Sequence, residues 1–451
     1  MTQVSAVGTA PPAGQPRSST TYPWYVVGVL MTAYTLSFID RQILSLLVAP
    51  MKAGMGISDT EVAYLQGLAF AAFYTTFGLP MGYLVDRFNR RNLVACGVFL
   101  WSAMTALCGL AGSYPLLFLA RMGVGVGEAT LSPAAFSLIA DYFSRERLGT
   151  AMSVYSMGVF IGSGLAFIVG GLVVEAVVSM PSITLPLGLV VESWRLAFFV
   201  VGLPGLLVAA LVLTVREPAR RGVSAPAERT QPQLFVAGLR LVRERWASVL
   251  AVTAGMAGHA ICMYGVFAWV PTVFIRVHGW TTGQAGVALG AVVLVFGCGG
   301  MVLGGWLCDR WHRLGLYHAP LRVGVVAASG AALALVPAFT GSSVWLTLGL
   351  LLPGMLFLSL PVGSMFASLQ LIFPNEVRGQ VSALLLCVIS IIGISLGPLL
   401  PALLTDYVFA DPLKIGRALA VTIGGGTLLM GGAFRAGFGS YASAYRKFHP
   451  S

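Results

Sequence analysis

Long apolar runs recur along almost the whole of this chain, and they constrain its fold more than any other feature of the sequence. A run of about 20 apolar residues, wound as a helix, is long enough to cross the hydrocarbon core of a bilayer. Such runs lie near residues 24–48, 60–84, 92–112, 115–141, 149–177, 194–215, 248–275, 284–308, 321–340, 344–373, 379–408 and 415–438. Because 57% of the 451 residues are hydrophobic and only 10% are charged, the chain has too little polar surface for a water-soluble globule of its size. The sequence therefore predicts a multi-pass membrane protein with twelve spans.

The positions of lysine and arginine predict which way the spans run. With both termini placed on the cytoplasmic side, 20 of the 27 basic residues fall on that side and 5 on the other, and Arg41 and Arg121 lie within spans. Cytoplasmic loops normally hold such an excess, so both termini are predicted to be cytoplasmic. The net charge of +11 then lies on loops beside anionic headgroups, which favours membrane lipids and not nucleic acid as the partner.

A polar, arginine-rich segment halfway along the chain divides the spans into six and six. We predict a disordered cytoplasmic tail at 1–21, an N-terminal six-helix bundle at 22–216, a cytoplasmic linker at 217–246, a C-terminal six-helix bundle at 247–438 and a second cytoplasmic tail at 439–451. The second part of the linker carries apolar residues at helical spacing, which is consistent with a helix lying at the membrane interface.

The two halves share a motif at the same place. "GYLVDRFNRR" (82–91) follows the second span and "GWLCDRWHR" (305–313) follows the eighth, and a constant offset of 223 residues aligns them. The glycines permit close helix packing, and the charged residues can form contacts in one conformation and lose them in another. One copy alone is equally typical of a charge cluster at the membrane edge, but two copies in register favour a shared role as a cytoplasmic gate. The predicted inner gate comprises Gly82, Asp86, Arg87, Arg90, Gly305, Asp309, Arg310 and Arg313.

These features together resemble the major facilitator superfamily. In addition, "RMGVGVGEA" (121–129) is similar to that superfamily's Arg-x-x-x-Gly pattern in the fourth span. The resemblance implies an all-α integral membrane protein with twelve transmembrane helices in two pseudo-symmetric six-helix bundles. "GSGLAFIVGG" (162–171) has the glycines of the superfamily's antiporter motif, but Leu165 stands where a proline is usual, which weakens a choice of antiport over symport.

A narrower resemblance is carried by "IDRQILS" in the first span together with "ARMGVGVGEATLSPAAFSLIADYF" in the fourth. This combination is similar to the spinster branch of the superfamily. It implies secondary active transport, by alternating access, of an amphipathic lipid such as a lysophospholipid, sphingosine or sphingosine phosphate. It also implies protons as the coupling ion. The ratio of 24 arginines to 3 lysines and the absence of an Asn-x-Ser/Thr sequon favour a bacterial inner membrane as the location. We expect no cofactor and action as a monomer.

Four charged residues, Asp40, Arg41, Arg121 and Glu128, lie deep inside predicted spans and not at their ends. An ionised side chain near the bilayer centre costs at least about 2.5 to 3.5 kcal/mol, so these residues must pair with each other or line water. We predict that Asp40 and Glu128 couple transport to protons and that Arg41 and Arg121 bind substrate or pair with the acids. On helical geometry, Asp40 is expected to face the fourth span and Arg41 a cavity or a neighbouring helix. The alternative is a static lattice of ion pairs that only holds spans one and four together.

The second half carries no matching acids or bases in its spans, so we expect it to supply an apolar wall for an acyl chain. Aromatic side chains suit that role, although a lone aromatic in a membrane helix is more often lipid-facing or in the core. The predicted substrate contacts of this kind are Tyr34, Phe38, Tyr74 and Trp269.

Other classes of function fit the sequence less well. None of the three lysines follows a glycine, so the chain has no phosphate-binding loop of an ATP-driven pump. Five scattered histidines and six cysteines without metal-binding spacing argue against an enzyme, a metal site or disulfides. Two alternatives stay open: a proton-linked transporter of a small organic anion or drug, and a membrane sensor or receptor that transports nothing.

Overall fold

The computed structural model describes residues 21–181, 183–184, 190–218, 220, 231–364, 368, 372–373 and 375–448. Most of the predicted N-terminal tail, residues 221–230 of the predicted linker and the last three residues of the C-terminal tail lie outside the described residues. Throughout, the side of the bundle on which the first and last helices begin and end, at Thr21 and Phe448, is called the inner side, and the opposite side is the outer side.

The first half contains six membrane spans. Span 1 is Thr21–Leu46, span 2 is Tyr64–Leu68 with Ala69–Arg87, span 3 is Arg90–Leu110, span 4 is Tyr114–Glu128 with Leu131–Tyr142, span 5 is Arg145–Val178 and span 6 is Leu196–Leu213. Two short helices, Val48–Met55 and Asp59–Ala63, lie on the outer side between spans 1 and 2, and Ile183–Thr184 pairs antiparallel with Val190–Val191 between spans 5 and 6.

The linker helix Gln231–Glu244 leads into the second half. Span 7 is Trp246–Thr272 with Val273–Val277, span 8 is Thr282–Val292 with Val293–Gly297 and Cys298–Arg313, span 9 is Ala319–Thr340, span 10 is Val344–Ser359, span 11 is Asn375–Leu403 with Leu404–Val408 and span 12 is Ile415–Phe448. In the described parts of the two halves, four segments of the spans are π-helical turns: Tyr64–Leu68, Val273–Val277, Val293–Gly297 and Leu404–Val408.

The architecture confirms the predicted fold class of twelve helices in two bundles. Eleven helices of the described chain are long and apolar enough to cross a membrane. Span 2, a π-helical turn at Tyr64–Leu68 followed by Ala69–Arg87, completes the six helices of the first bundle.

Local sequence signals start the helices that form the outer side. Ser58 accepts a hydrogen bond from the backbone of Glu61, and the Glu61 side chain accepts one from the backbone of Ser58, which is a capping box. Thr281 and Gln284 form the same arrangement at the start of span 8. Each box satisfies backbone N–H groups that the first helical turn would otherwise leave without partners.

Glycines let the two bundles approach each other closely. Spans 5 and 8 meet at Gly171 and Gly286, where a Cβ on Gly286 would lie 2.4 Å from the backbone oxygen of Phe167. Spans 2 and 11 meet at Gly67, where a Cβ would lie 2.5 Å from the backbone oxygen of Ile394. Both contacts exclude any larger side chain, so the helix backbones themselves form the interface between the bundles.

Candidate functional site

The centre of the site is an ion pair between spans 1 and 4. Nη2 of Arg41 lies 2.6 Å from Oε2 of Glu128, and Nε of Arg41 donates a hydrogen bond of 2.7 Å to the same oxygen. The hydroxyl of Ser37, one turn before Arg41, donates to that oxygen at 2.5 Å. Glu128 is 1% exposed, so the pair lies away from bulk water. The charge of each partner is compensated by the other, as a buried ion pair requires.

Aromatic rings surround the guanidinium of Arg41. Its Cζ atom lies 4.5 Å from the ring centroid of Phe70, 5.0 Å from Tyr74 and 5.1 Å from Phe38. A cation over the face of an aromatic ring is attracted by the ring quadrupole, and this attraction is stronger where water is excluded. Two of the predicted substrate contacts, Phe38 and Tyr74, therefore touch Arg41 directly.

Asp40 lies on the other face of span 1, in the interior of the first bundle. The hydroxyl of Thr105 in span 3 donates a hydrogen bond of 3.2 Å to Oδ2 of Asp40, and Oδ1 has no partner among the described residues. Arg121 of span 4 donates to the backbone oxygen of Asp40 at 3.4 Å and lies within 4 Å of no described carboxylate. The carboxyl group thus contacts span 3, whereas the sequence led us to expect span 4. The physical reason is that Arg41, one residue further and about 100° around the helix, occupies the face that meets Glu128.

Tyr34 and Trp269 support the site from either side. The ring of Tyr34 stacks on Tyr155 of span 5 at a centroid distance of 4.8 Å and meets Phe38 edge-on at 5.1 Å. Trp269 is 0% exposed, and its Nε1 donates a hydrogen bond of 2.7 Å to the backbone oxygen of Pro398 in span 11. Trp269 therefore lies inside the second bundle, behind the residues that face the passage.

Among the cavities that the described residues of both bundles line, two lie along the passage. The larger, of about 310 Å³, is on the inner side, and its lining includes Tyr74, Gly78 and Phe136 from the first half with Leu386 and Ser390 from span 11. The smaller, of about 40 Å³, lies further outward. It is lined by Phe38, Arg41, Gln42, Ser45, Gln66 and Phe70 on one wall and by Tyr264, Phe267, Ala268, Ile394 and Pro398 on the other. One wall of this cavity is largely polar and the other is apolar, as expected for a second half that supplies an apolar surface.

For the residues of the predicted inner gate that the structure describes, the observed contacts lie within one half of the chain. A Cβ on Gly82 or on Gly305 would meet no atom within 4 Å. The guanidinium of Arg87 lies over Tyr83 at 4.3 Å and that of Arg310 over Trp306 at 5.3 Å, so each contacts its own helix.

The remaining charged residues of the inner gate also bind within their own halves. Nε of Arg313 donates to the backbone oxygen of Asp309 at 3.4 Å. Arg90 forms an ion pair with Asp141 of span 4 and another, of 2.7 Å, with Glu217 after span 6. The side chain of Asp86 lies outside the described part of the chain. The role of these residues as a gate stays a prediction.

The outer side is closed by contacts between the halves that sequence reasoning missed. Nη1 and Nη2 of Arg276 donate to the two oxygens of Asp59 at 2.6 and 2.9 Å, and Nζ of Lys52 donates to Oδ1 at 2.7 Å. Next to them, the backbone N–H and the hydroxyl of Thr60 donate to Oδ2 of Asp406 at 2.8 and 2.6 Å. We call these five residues the outer closure. In the sequence, the Ser-x-x-Glu pattern of a capping box could have indicated part of this contact, because it places Asp59 and Thr60 at the start of a helix.

The charge environment of Asp59 favours its ionised form. Burial by itself would raise the pKa of Asp59, but the hydrogen bonds and positive charges of Arg276 and Lys52 outweigh burial and lower that pKa below its ordinary value. The contacts of the outer closure therefore involve Asp59 in its ionised form.

Two six-helix bundles that close on one side around a passage, with buried charges beside it, define a membrane transporter. The family model of the Major Facilitator Superfamily matches residues 30–398, and the chain belongs to that superfamily. Within it the chain is a spinster-like member, as the sequence motifs predicted. Transporters of this family are not enzymes, which agrees with the expectation from the sequence.

Its similarity to known proteins extends over most of the chain. It is 28% identical over 89% of its length to an MFS-type efflux pump of Mycolicibacterium smegmatis, and spans 89% of that protein. It is 26% identical over 62% of its length to the sphingosine-1-phosphate transporter of Danio rerio and spans 56% of that protein. The crystal structure of a bacterial homologue of the human lysosomal transporter spinster, inward-facing and unoccupied, is similar with a TM-score of 0.74 at 28% identity, covering 96% of this chain and 98% of that one.

Proposed function

We propose that this chain is a proton-coupled secondary transporter of an amphipathic lipid of the lysophospholipid, sphingosine or sphingosine phosphate type. The proposed location is a bacterial inner membrane, with both termini in the cytoplasm and the protein acting as a monomer. The observation that carries the proposal is the pair of acids buried in the first bundle, Glu128 paired with Arg41 and Asp40 without such a partner.

The two acids differ in a way that suits proton coupling. Removal from water disfavours an ionised carboxyl group unless a positive charge compensates it. Glu128 has that compensation from Arg41 at 2.6 Å, while Asp40 has only the hydroxyl of Thr105 and the more distant charge of Arg121. Asp40 is therefore the proposed first site of protonation. Glu128 would accept a proton when Arg41 leaves it for a substrate headgroup or another partner.

An amphipathic substrate fits the two unlike walls of the passage. The first half presents Arg41 and several hydrogen-bonding side chains, which suit a polar or phosphate-bearing head. The second half presents Tyr264, Phe267 and Ile394, an apolar surface from which an acyl chain would extend into the larger inner cavity of about 310 Å³. The likeness to a sphingosine-1-phosphate transporter supports the same substrate class.

The second candidate is proton-linked export of a small organic anion or drug. It is favoured by the similarity to an efflux pump over 89% of this chain, and by 26% identity to a probable L-galactonate transporter of Escherichia coli over 65% of this chain and 63% of that protein. A non-transporting sensor is the alternative of a different class.

A transport assay in proteoliposomes distinguishes these functions. Purified protein would be tested with lysophospholipids, sphingosine, sphingosine phosphate and small organic anions, with and without an imposed pH gradient. Gradient-driven movement of a lipid supports the proposal, and movement only of small anions or drugs supports the second candidate. If no compound moves under any gradient, transport by this chain is contradicted.

Variants of the two acids test the coupling step. Asp40→Asn and Glu128→Gln imitate the protonated state with little change of volume, so each is expected to abolish gradient-driven uptake and to preserve exchange of substrate across the membrane. Asp411→Asn and Glu244→Gln, at exposed positions outside the passage, are the matched controls and should behave as wild type. Normal gradient-driven uptake by both site variants and by the double variant would leave the four charges as a structural lattice.

A further inference from the structure

Gln66 carries a buried amide group for which the fold supplies no partner. Neither its Oε1 nor its Nε2 atom has a hydrogen-bond partner among the described residues, and both atoms are shielded from solvent. The side chain lines the smaller, outward cavity beside Arg41, Gln42 and Ser45. A buried amide without partners costs free energy, and an apolar side chain of the same length would avoid that cost.

The backbone around Gln66 is arranged to direct this side chain into the passage. Gln66 lies in the π-helical turn Tyr64–Leu68, and such turns insert one extra residue into a helix and are frequent at functional sites. The next residue, Gly67, contacts Ile394 and Ser395 of span 11 so closely that a Cβ would lie 2.5 and 3.3 Å from their backbone atoms. The position of Gln66 is therefore fixed by contact between the two halves.

The charges nearby define what the amide could bind. The positive charge of Arg41 is compensated by Glu128, so this wall of the cavity is close to neutral. Gln66, Gln42 and Ser45 offer both hydrogen-bond donors and acceptors, and the opposite wall offers Tyr264, Phe267 and Pro398. A volume of about 40 Å³ holds one or two groups of the size of water. A hydroxyl group, which both donates and accepts, matches this site in size and in chemistry.

We propose that Gln66 is a specificity-determining residue that selects substrates whose polar head carries a neutral hydroxyl group next to its charged part. This inference rests on the proposed transport of an amphipathic lipid and specifies which heads the site prefers. A site built to hydrogen-bond a hydroxyl discriminates strongly against the analogue that lacks it, because its own polar groups are then left unpaired.

The test uses two lysolipids with the same acyl chain and the same charge. Lysophosphatidylglycerol carries free hydroxyls on its head, and lysophosphatidylpropanol lacks them. The measured quantity is the ratio of their kcat/KM values for uptake into proteoliposomes. Wild-type protein is expected to favour the glycerol head by about tenfold or more, the effect of one well-placed hydrogen bond. Gln66→Leu is expected to bring the ratio close to one, and the shorter amide of Gln66→Asn should retain part of the preference.

Thr75→Val provides the matched control. Thr75 lines the inner cavity, and its hydroxyl also has no partner among the described residues, but it lies away from the outward cavity. Its substitution should leave the ratio unchanged. A wild-type ratio of one, or a ratio that Gln66→Leu and Gln66→Asn both leave unaltered, overturns the inference and not the proposed function. Failure of wild-type protein to move either lysolipid overturns the proposed lipid substrate, and the inference with it.

Discussion

Arg41 shows how one residue can serve both the proton and the substrate. Its guanidinium makes two contacts with one oxygen of Glu128 and lies against three aromatic rings. The planar group is suited to this arrangement because it can stack on rings and donate hydrogen bonds in its plane at the same time. A lysine at this position keeps the charge but loses the planar group.

Replacement of Arg41 by Lys tests whether this geometry matters. Losing one of two charge-assisted hydrogen bonds costs about 1.5 to 3 kcal/mol, so affinity for a phosphate-bearing lipid is expected to fall about tenfold or more. Binding of sphingosine and of sphingosine phosphate would be measured by isothermal titration calorimetry. Arg240→Lys, at an exposed position of the linker helix, is the control. Equal affinity of wild type and Arg41→Lys for both compounds contradicts a headgroup role for Arg41.

At the scale of helices, the outer closure joins the outer ends of the two halves. Two of its five residues lie in π-helical turns: Arg276 in Val273–Val277 and Asp406 in Leu404–Val408. A π-helical turn changes the direction of the side chains that follow it, so these turns aim the closing residues across the boundary between the halves.

The pKa of Asp59 predicts how this closure responds to pH. Because that pKa is lowered, the stabilising contribution is fully present above the ordinary value of about 3.9 and is lost only as pH falls through the lowered pKa. Outer accessibility is therefore expected to be constant between about pH 5 and 8, whereas Asp59→Asn should raise it at every pH. Labelling of a cysteine introduced at Ser45, in a background without the native cysteines, reports accessibility. An increase of wild-type labelling at pH 5 that Asp59→Asn lacks would contradict the lowered pKa, and equal labelling of wild type and Asp59→Asn would contradict the role of Asp59 in the closure.

The glycine contact between spans 5 and 8 tests closure independently of charge. Valine in place of Gly286 would collide with the backbone of Phe167 and Gly171, so it should disfavour the closed outer side and slow transport. Gly425→Val is the control, because a Cβ on Gly425 meets nothing within 4 Å. Labelling of the cysteine introduced at Ser45 again measures accessibility from the outer side. If labelling and transport are normal in Gly286→Val, the close contact is not needed for closure.

The inner gate is expected to act in the opposite conformation. If Asp309 holds the inner ends together when the outer side opens, Asp309→Ala removes stabilisation of that state and shifts the population toward the conformation seen here. A cysteine introduced at Ser390, which lines the inner cavity, should then react faster. Asp411→Ala is the control. Unchanged labelling in Asp309→Ala and in Asp86→Ala counts against a gate at these positions.

The sequence predicted the helices well because the bilayer leaves few alternatives. Apolar length decides the spans, the repeated Asp-Arg motif indicates the two halves, and the cost of buried charge identifies Asp40, Arg41, Arg121 and Glu128. The prediction that Asp40 faces the fourth span was wrong, since a rotation of 100° separates Asp40 from Arg41 and the carboxyl group of Asp40 contacts span 3. The sequence did not indicate Gln66 or the pairing of Asp59 with Arg276, which is 217 residues away. Such contacts depend on tertiary packing, and no local pattern encodes them.

At the scale of the whole molecule, transport requires that the outer closure and the inner passage exclude each other. In this structure the outer ends of the halves are joined through Asp59 and Asp406, and the inner side holds the larger cavity. The buried acids lie between the two sides, where a change of their charge can favour one arrangement of the bundles over the other. A ligand or a proton can shift such an equilibrium only by its different free energy in the two states.

A reversible cross-link between the halves tests this requirement. Thr60 and Asp406 are in contact on the outer side, so cysteines at both positions, in a background without the six native cysteines, should be joined by a bifunctional thiol reagent that contains a disulfide. The joined protein is expected to bind substrate from the inner side at wild-type affinity but to transport none, because the outer side cannot open. Reduction of the reagent should restore transport to the level of the uncross-linked variant. A pair at Tyr25 and Thr214, whose hydroxyls are 2.5 Å apart within the first half, is the matched control and should transport while cross-linked. Undiminished transport by the Thr60–Asp406 cross-linked protein would mean that the halves need not separate on the outer side, and alternating access through this passage would be contradicted.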